Sequence, residues 1–113
     1  MPDALPAQRL RRLLFATVLG REVRVARGPR ARLLGLAHLD REAAGTGLLI
    51  PRCTSVHTFG MRFRLDLYFL GKEGEITSVR RGVSPRRFVS CRHATAVLEL
   101  PADEGGELLP VSS

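Results

Sequence analysis

The 113-residue chain predicts a mainly β protein, a compact β-sandwich or barrel-like domain of six to seven short strands with one short helix near residues 30–39. Three observations lead there. Stretches in which apolar and polar residues alternate with a period of two recur at 21–27, 62–70 and 95–100. Glycine- and proline-bearing turn signals separate them at short intervals. Apart from an ambiguous turn at Leu10–Leu14, one stretch, 30–39, repeats its apolar residues at helical spacing. A chain of this length reads as a single domain over 1–113, and folding it hides roughly two-thirds of the unfolded surface, enough for a core without staples.

Residues 1–8, with Pro2 and Pro6, read as a flexible terminus, as do residues 106–113. Leu10, Leu13 and Leu14 suit a short helical turn, while 14–19 suit a first strand equally well. The next stretch is clearer. Val23 and Val25 alternate with Glu22, Arg24 and Ala26, a half-buried strand that Gly20 and Arg21 join to the first by a turn. Gly28 and Pro29 break it, and proline is preorganised for the first helical position. In the helix that follows, Leu33, Leu36 and Ala37 fall at i, i+3 and i+4. Gly35 lies in its middle at a cost of up to about 1 kcal/mol against alanine, which suggests close packing against a neighbouring backbone.

A polar loop is expected at 40–47, a short buried strand at 48–50 stopped by Pro51, and a connecting loop at 52–60. In 62–70, Phe63, Leu65, Leu67 and Phe69 line one face for the core, and Arg62, Arg64, Asp66 and Tyr68 line an outer face. Gly71, Lys72, Glu73 and Gly74 make a hairpin turn, and 75–80 return as the antiparallel partner. After a loop at 82–87 and a short extended piece at 88–91, the last strand spans 95–100, with Ala96, Leu98 and Leu100 opposite Val97 and Glu99.

The blocks ARLLGLAHL (31–39), GLLIPRCTSVHTFGMRFRLDLYFLGKEGEI (47–76) and AVLELPADEG (96–105) together resemble the DUF192 family of small prokaryotic domains. The shared pattern is a Gly-Leu pair in a short helix, a glycine-led strand, a Met-containing loop, a Leu-Asp-hydrophobic strand and a closing Leu-Glu-Leu strand. It covers about residues 22–105. Arg64, Gly71 and Asp103 depart from it, standing where proline, aspartate and glycine are usual. The resemblance implies a mainly β, sandwich-like fold and no established activity.

The net charge is +7, and of the 18 basic side chains only Lys72 is lysine. The segment 99–113 holds Glu99, Asp103, Glu104 and Glu107 with no base, so the rest of the chain is more basic still. Such a surface concentrates polyanions, and Arg80, Arg81, Arg86 and Arg87 form its densest cluster. As candidates they contact phosphates; otherwise they are a solvated rim. Only Phe88 adjoins them for base stacking, which disfavours sequence-specific single-strand recognition. No apolar run approaches the roughly 18–20 residues of a membrane-spanning helix. Residues 9–20 faintly imitate a signal peptide but lack the small-x-small cleavage pattern, so the expected location is cytoplasmic, with Cys53 and Cys91 as reduced thiols.

Cys53, His57 and Met61 recur every four residues, and Cys91 with His93 supplies a second sulfur and nitrogen pair. Thiolate, imidazole and thioether suit a soft metal, so Cys53, His57 and Cys91 are an alternative ligand set, although their spacing is no standard zinc pattern. The same cysteines, each preceded by an arginine, are the candidates for a cysteine-dependent enzyme. The plain reading makes them small buried hydrophobes. No phosphate-binding glycine loop, G-x-S-x-G or paired-carboxylate signature is present, so no catalytic residue is assigned. The leading expectation is a non-enzymatic domain that binds a small ligand or a protein partner through the 53–61 loop and the Asp66 face. If that loop folds over the strand, His57, Thr58, Arg62 and Asp66 line a small polar pocket, with Glu99 as the counterpart on the last strand.

Overall fold

The computed structural model describes residues 13–102. The readings of 1–8 and 106–113 as flexible termini, the Leu10 end of the early helical turn, and Asp103 and the rest of the acidic tail lie outside the described residues.

Eight strands and two short helices make up the described chain: β1 (Phe15–Val18), β2 (Arg21–Val25), α1 (Pro29–Leu34), α2 (Arg41–Ala44), β3 (Leu48–Pro51), β4 (Ser55–His57), β5 (Leu65–Leu70), β6 (Ile76–Val83), β7 (Phe88–Ser90) and β8 (Ala96–Pro101). The fold is mainly β, as expected, with two more features than the alternation revealed. Residues 40–47, expected as loop, contain α2, and residues 52–60 contain β4, too short to show a period.

Six strands form one sheet in the order β1-β2-β3-β8-β5-β6, and β4 pairs with β7 in a separate two-stranded ribbon. All pairings are antiparallel except β2 with β3, whose parallel register needs the crossover that carries both helices. The edge strands β1 and β6 do not pair with each other, so among the described residues the sheet is not closed into a barrel.

Register divides the sheet into two faces, since side chains directly opposite across paired strands point the same way. Leu67 faces Glu99, which faces Leu48; Phe69 faces Val97, which faces Ile50. These apolar residues join Leu36, Ala37, Leu39, Ala44, Val56 and Met61 in the main core cluster, so the helical segment and the β4/β7 ribbon cover this face. On the other face Tyr68 opposes Leu98 and Asp66 opposes Leu100, and Tyr68, Leu70, Leu98, Leu100 and Val23 form a second cluster. A fully buried Leu or Phe contributes about 1.5–3 kcal/mol, so both faces stabilise the sheet.

Two expectations are corrected here. The outward face of β5 is not outward: all six of its residues are buried, with Tyr68 and Leu70 in the second cluster, Leu65, Leu67 and Phe69 in the main core, and Asp66 buried beside them. The helix over 30–39 stops at Leu34, since Gly35 takes φ +53° and its N–H closes on the Ala31 carbonyl. Leu36 and Ala37 are buried as expected, but Leu33, still on the helix, is 67% exposed.

Candidate functional site

Glu99 is the anomaly of the core. The alternation of β8 sends Val97 and Glu99 to the main core face, and the carboxyl is 1% exposed in the central part of the sheet, between Leu48 of β3 and Leu67 of β5. Burial pushes its pKa up to about 8, with a hydrogen bond from the Leu36 backbone N–H only partly opposing this. Among the described residues its Oε1 has no hydrogen-bond partner. A polar atom left so in a core costs free energy that a bound group could recover.

Gly35 explains how the carboxyl is accommodated. A Cβ there would lie 2.7 Å from Glu99 Oε1, so the glycine that caps α1 marks close approach to a side chain, not to a backbone as the sequence suggested.

The space beside Glu99 is a cavity of about 260 Å³ between α1 and the ribbon, lined in part by Arg32, Gly35, Cys53, His57 and Phe88. His57 ends β4, opposite Phe88 of β7. Its Nε2 lies 3.1 Å from the Leu33 carbonyl oxygen, which can only accept, so Nε2 donates. In the neutral ring Nδ1 is therefore an acceptor, and it too is buried without a partner. Arg32 is tied by a guanidinium N–H to the Arg52 carbonyl at 2.7 Å. The Cys53 thiol points to the Ser55 carbonyl oxygen at 3.0 Å. Burial raises its pKa, against the Ser55 bond and the Arg32 charge, while the Glu99 charge adds to the rise. A thiol held protonated is a poor nucleophile, and no cysteine-based active site is evident.

The other expected site residues are placed elsewhere. Thr58 is buried beyond the end of β4, where its hydroxyl donates to the Ser84 carbonyl at 2.8 Å and accepts from the Arg87 N–H at 2.7 Å, fastening the loop before β7. Arg62 is exposed and pairs with Asp40 at 2.9 Å. Asp66 lies on the sheet face opposite Glu99, and its Oδ1 accepts from the Gly82 N–H at 2.8 Å. The cavity beside Glu99 and His57 is lined by none of these three.

Cys91 Sγ lies 3.7 Å from the Thr77 hydroxyl, and Met61 is core. Among the described residues no three His, Cys, Asp or Glu side chains form a group able to hold a metal, so Cys53, His57 and Cys91 do not make the alternative ligand set. Arg80, Arg81, Arg86 and Arg87 are all exposed around the end of β6 and the start of β7, and Arg80 and Arg87 share a shallow depression. Among the described residues no helix is long and apolar enough to cross a membrane.

Arg32, Gly35, Leu33 and Phe88 were not expected at a site. The one advance signal was Gly35, a helix-weakening residue inside an otherwise regular pattern.

A family model for DUF192, described as Uncharacterized ACR, matches residues 15–108. No curated protein matches the chain. Two crystal structures are similar to it. One, described as that of a candidate transcription regulator from Sinorhizobium meliloti 1021, is 25% identical with a TM-score of 0.64, over 78% of this chain and 77% of that one. The other is a protein of unknown function from Novosphingobium aromaticivorans DSM 12444, 16% identical with a TM-score of 0.58, over 90% and 89% of the two chains; it shares the fold.

Proposed function

Since the chain belongs to the DUF192 family, whose description assigns no activity, we propose from the geometry that it is a binding domain for a small polar molecule, seated in the cavity between α1 and the β4/β7 ribbon. The observation that carries this reading is the pair of buried, unpartnered atoms, Glu99 Oε1 and His57 Nδ1, on residues lining one space. Left empty of a partner, each costs about 1–3 kcal/mol. A ligand that satisfies both recovers that cost on binding. The volume, about 260 Å³, suits a fragment-sized molecule, a little below the usual range of ligand pockets. Within the expected site set, His57 and Glu99 carry the binding, while Thr58 and Asp66 hold backbone away from the cavity.

The test is an amide-resolved NMR titration with a panel of small polar compounds at millimolar concentration. Binding here shifts Gly35, Leu36, Val56, His57 and Phe88 together, and Glu99→Gln or His57→Ala weakens it about tenfold or more. If no compound moves these amides, or the variants bind as the parent does, the reading is wrong.

A second reading is favoured by the exposed cluster of Arg80, Arg81, Arg86 and Arg87 together with the description carried by the Sinorhizobium meliloti structure: the surface around the β6–β7 loop binds a polyanion such as DNA. It uses a different part of the molecule from the cavity, so the two readings are separable by mutation.

A further inference from the structure

We propose that the cavity selects a small primary amine, binding its ammonium group between the Glu99 carboxylate and His57 Nδ1 with the apolar stem of the ligand against Leu33 and Phe88. The inference rests on the small-molecule reading of the same cavity and specifies the ligand's chemistry.

The two unpartnered atoms make the same demand. Ionised, Glu99 Oε1 is an acceptor, and in the neutral ring His57 Nδ1 is one too, because Nε2 donates to the Leu33 carbonyl. An ammonium brings three N–H donors on one centre and can serve both, whereas a hydroxyl has a single hydrogen to give and a carbonyl has none. Charge points the same way. What governs Glu99 is desolvation, opposed by the neutral Leu36 N–H, so among the described residues the carboxyl has no buried counter-charge of its own. A ligand cation supplies it in a setting of low dielectric, where the pairing is strong.

The charged and titratable groups around Glu99 are few. From α1 there is Arg32, half-buried and tied to the Arg52 carbonyl. Between β3 and β4 there is Cys53, whose thiol burial keeps protonated, and from β4 there is His57. The facing residues of β3 and β5 are Leu48 and Leu67, and β7 contributes Phe88. Among the described residues lining the cavity Arg32 is the one cation, and it disfavours a second cation only insofar as its charge reaches the cavity interior. On a ligand that also bears a carboxylate, the same Arg32 becomes a partner.

Leu33 and Phe88 add an independent observation. They are 67% and 68% exposed, large apolar side chains that line the same cavity as the carboxyl. Polar side chains and exposed apolar side chains lining one cavity match a molecule with a cationic head and a hydrocarbon body.

Binding converts the neutral carboxyl to a carboxylate and releases its proton, R–NH₃⁺ entering unchanged. Affinity therefore rises with pH, by up to about tenfold per unit below about pH 8, and then levels. The probes are benzylammonium chloride and benzyl alcohol, of nearly the same shape and differing in charge, each titrated by NMR at several pH values against the parent chain and Glu99→Gln. Calorimetry of benzylammonium in two buffers of different ionisation enthalpy reads the proton, about one released per molecule near neutrality, and requires no variant. Support is preferential binding of the ammonium compound at the cavity amides, strengthening with pH, with both the preference and the pH dependence lost in Glu99→Gln. Equal binding of the alcohol with no pH dependence overturns the amine inference and leaves the cavity as a site for neutral molecules. If neither probe, nor any compound of the polar panel, moves the cavity amides, the site itself is refuted.

Discussion

A carboxyl in the middle of a six-stranded sheet makes Glu99 a thermodynamic probe of its own surroundings. Its folded pKa, about 8, lies above the ordinary 4.5, so between those values the folded chain holds a proton that the unfolded chain has released. Stability contributed by the protonated form is fully present below about pH 4.5 and is lost as pH rises through about 8, at up to about 1.4 kcal/mol per unit. Urea unfolding midpoints of the parent measured across this window should fall with pH more steeply than those of Glu99→Gln, whose amide does not titrate. Parallel curves for the two proteins would mean that Glu99 is ionised in the folded state. Cys53 lines the same cavity, and burial shifts its pKa upward as well.

The β5–β6 hairpin shows how an acidic residue that looked functional in the sequence acquires a structural duty. Pairing slips between Leu65 and Leu67, where Leu65 meets Val83 and Leu67 meets Arg80. The extra residue of this bulge leaves the Gly82 N–H to be satisfied, Gly82 adopts φ +61°, and Asp66 Oδ1 accepts the N–H at 2.8 Å. Asp66→Ala should destabilise the domain by about 1–3 kcal/mol, because a buried N–H is left without its acceptor. Asp66→Asn, which keeps a carbonyl oxygen, should recover most of that loss. Amide exchange distinguishes this from a general loosening: the Gly82 N–H should lose protection first, whereas uniform loss across β5 and β6 would count against a local role. The alternation of residues 62–70 made β5 legible in the sequence, and the hairpin turn at Gly71–Gly74 likewise, with the Gly71 N–H on the Glu75 carbonyl. The bulge was not legible, since a slip in pairing leaves no mark on either strand read alone.

At the scale of the whole molecule the excess of arginine matters through its placement. Four of these side chains stand exposed around the β6–β7 loop, and the sequence showed their proximity because they are neighbours along the chain. If the loop engages DNA through all four, log K should fall against log salt with a slope of about −3 to −4. Replacing Arg86 and Arg87 by glutamine should flatten that slope by roughly two while leaving the binding proposed for the Glu99 cavity unchanged. A flat, weak salt response at low ionic strength would exclude the polyanion reading.

The sequence by itself determined the β class, most of the strands, the hairpin turns, and the singling out of His57, Asp66 and Glu99, because alternation, turn chemistry and buried-looking acids are local properties. It could not determine which of these residues share a site. Asp66 and Glu99 lie on opposite faces because Leu67, not Asp66, stands across from Glu99. A shift of one residue in that pairing would have put them together. Nor could spacing show that α1 ends at Gly35 and brings Leu33 and Arg32 beside a histidine two dozen residues later. Strand pairing and the packing of the helix against the β4/β7 ribbon, both set by contacts distant in sequence, made that decision.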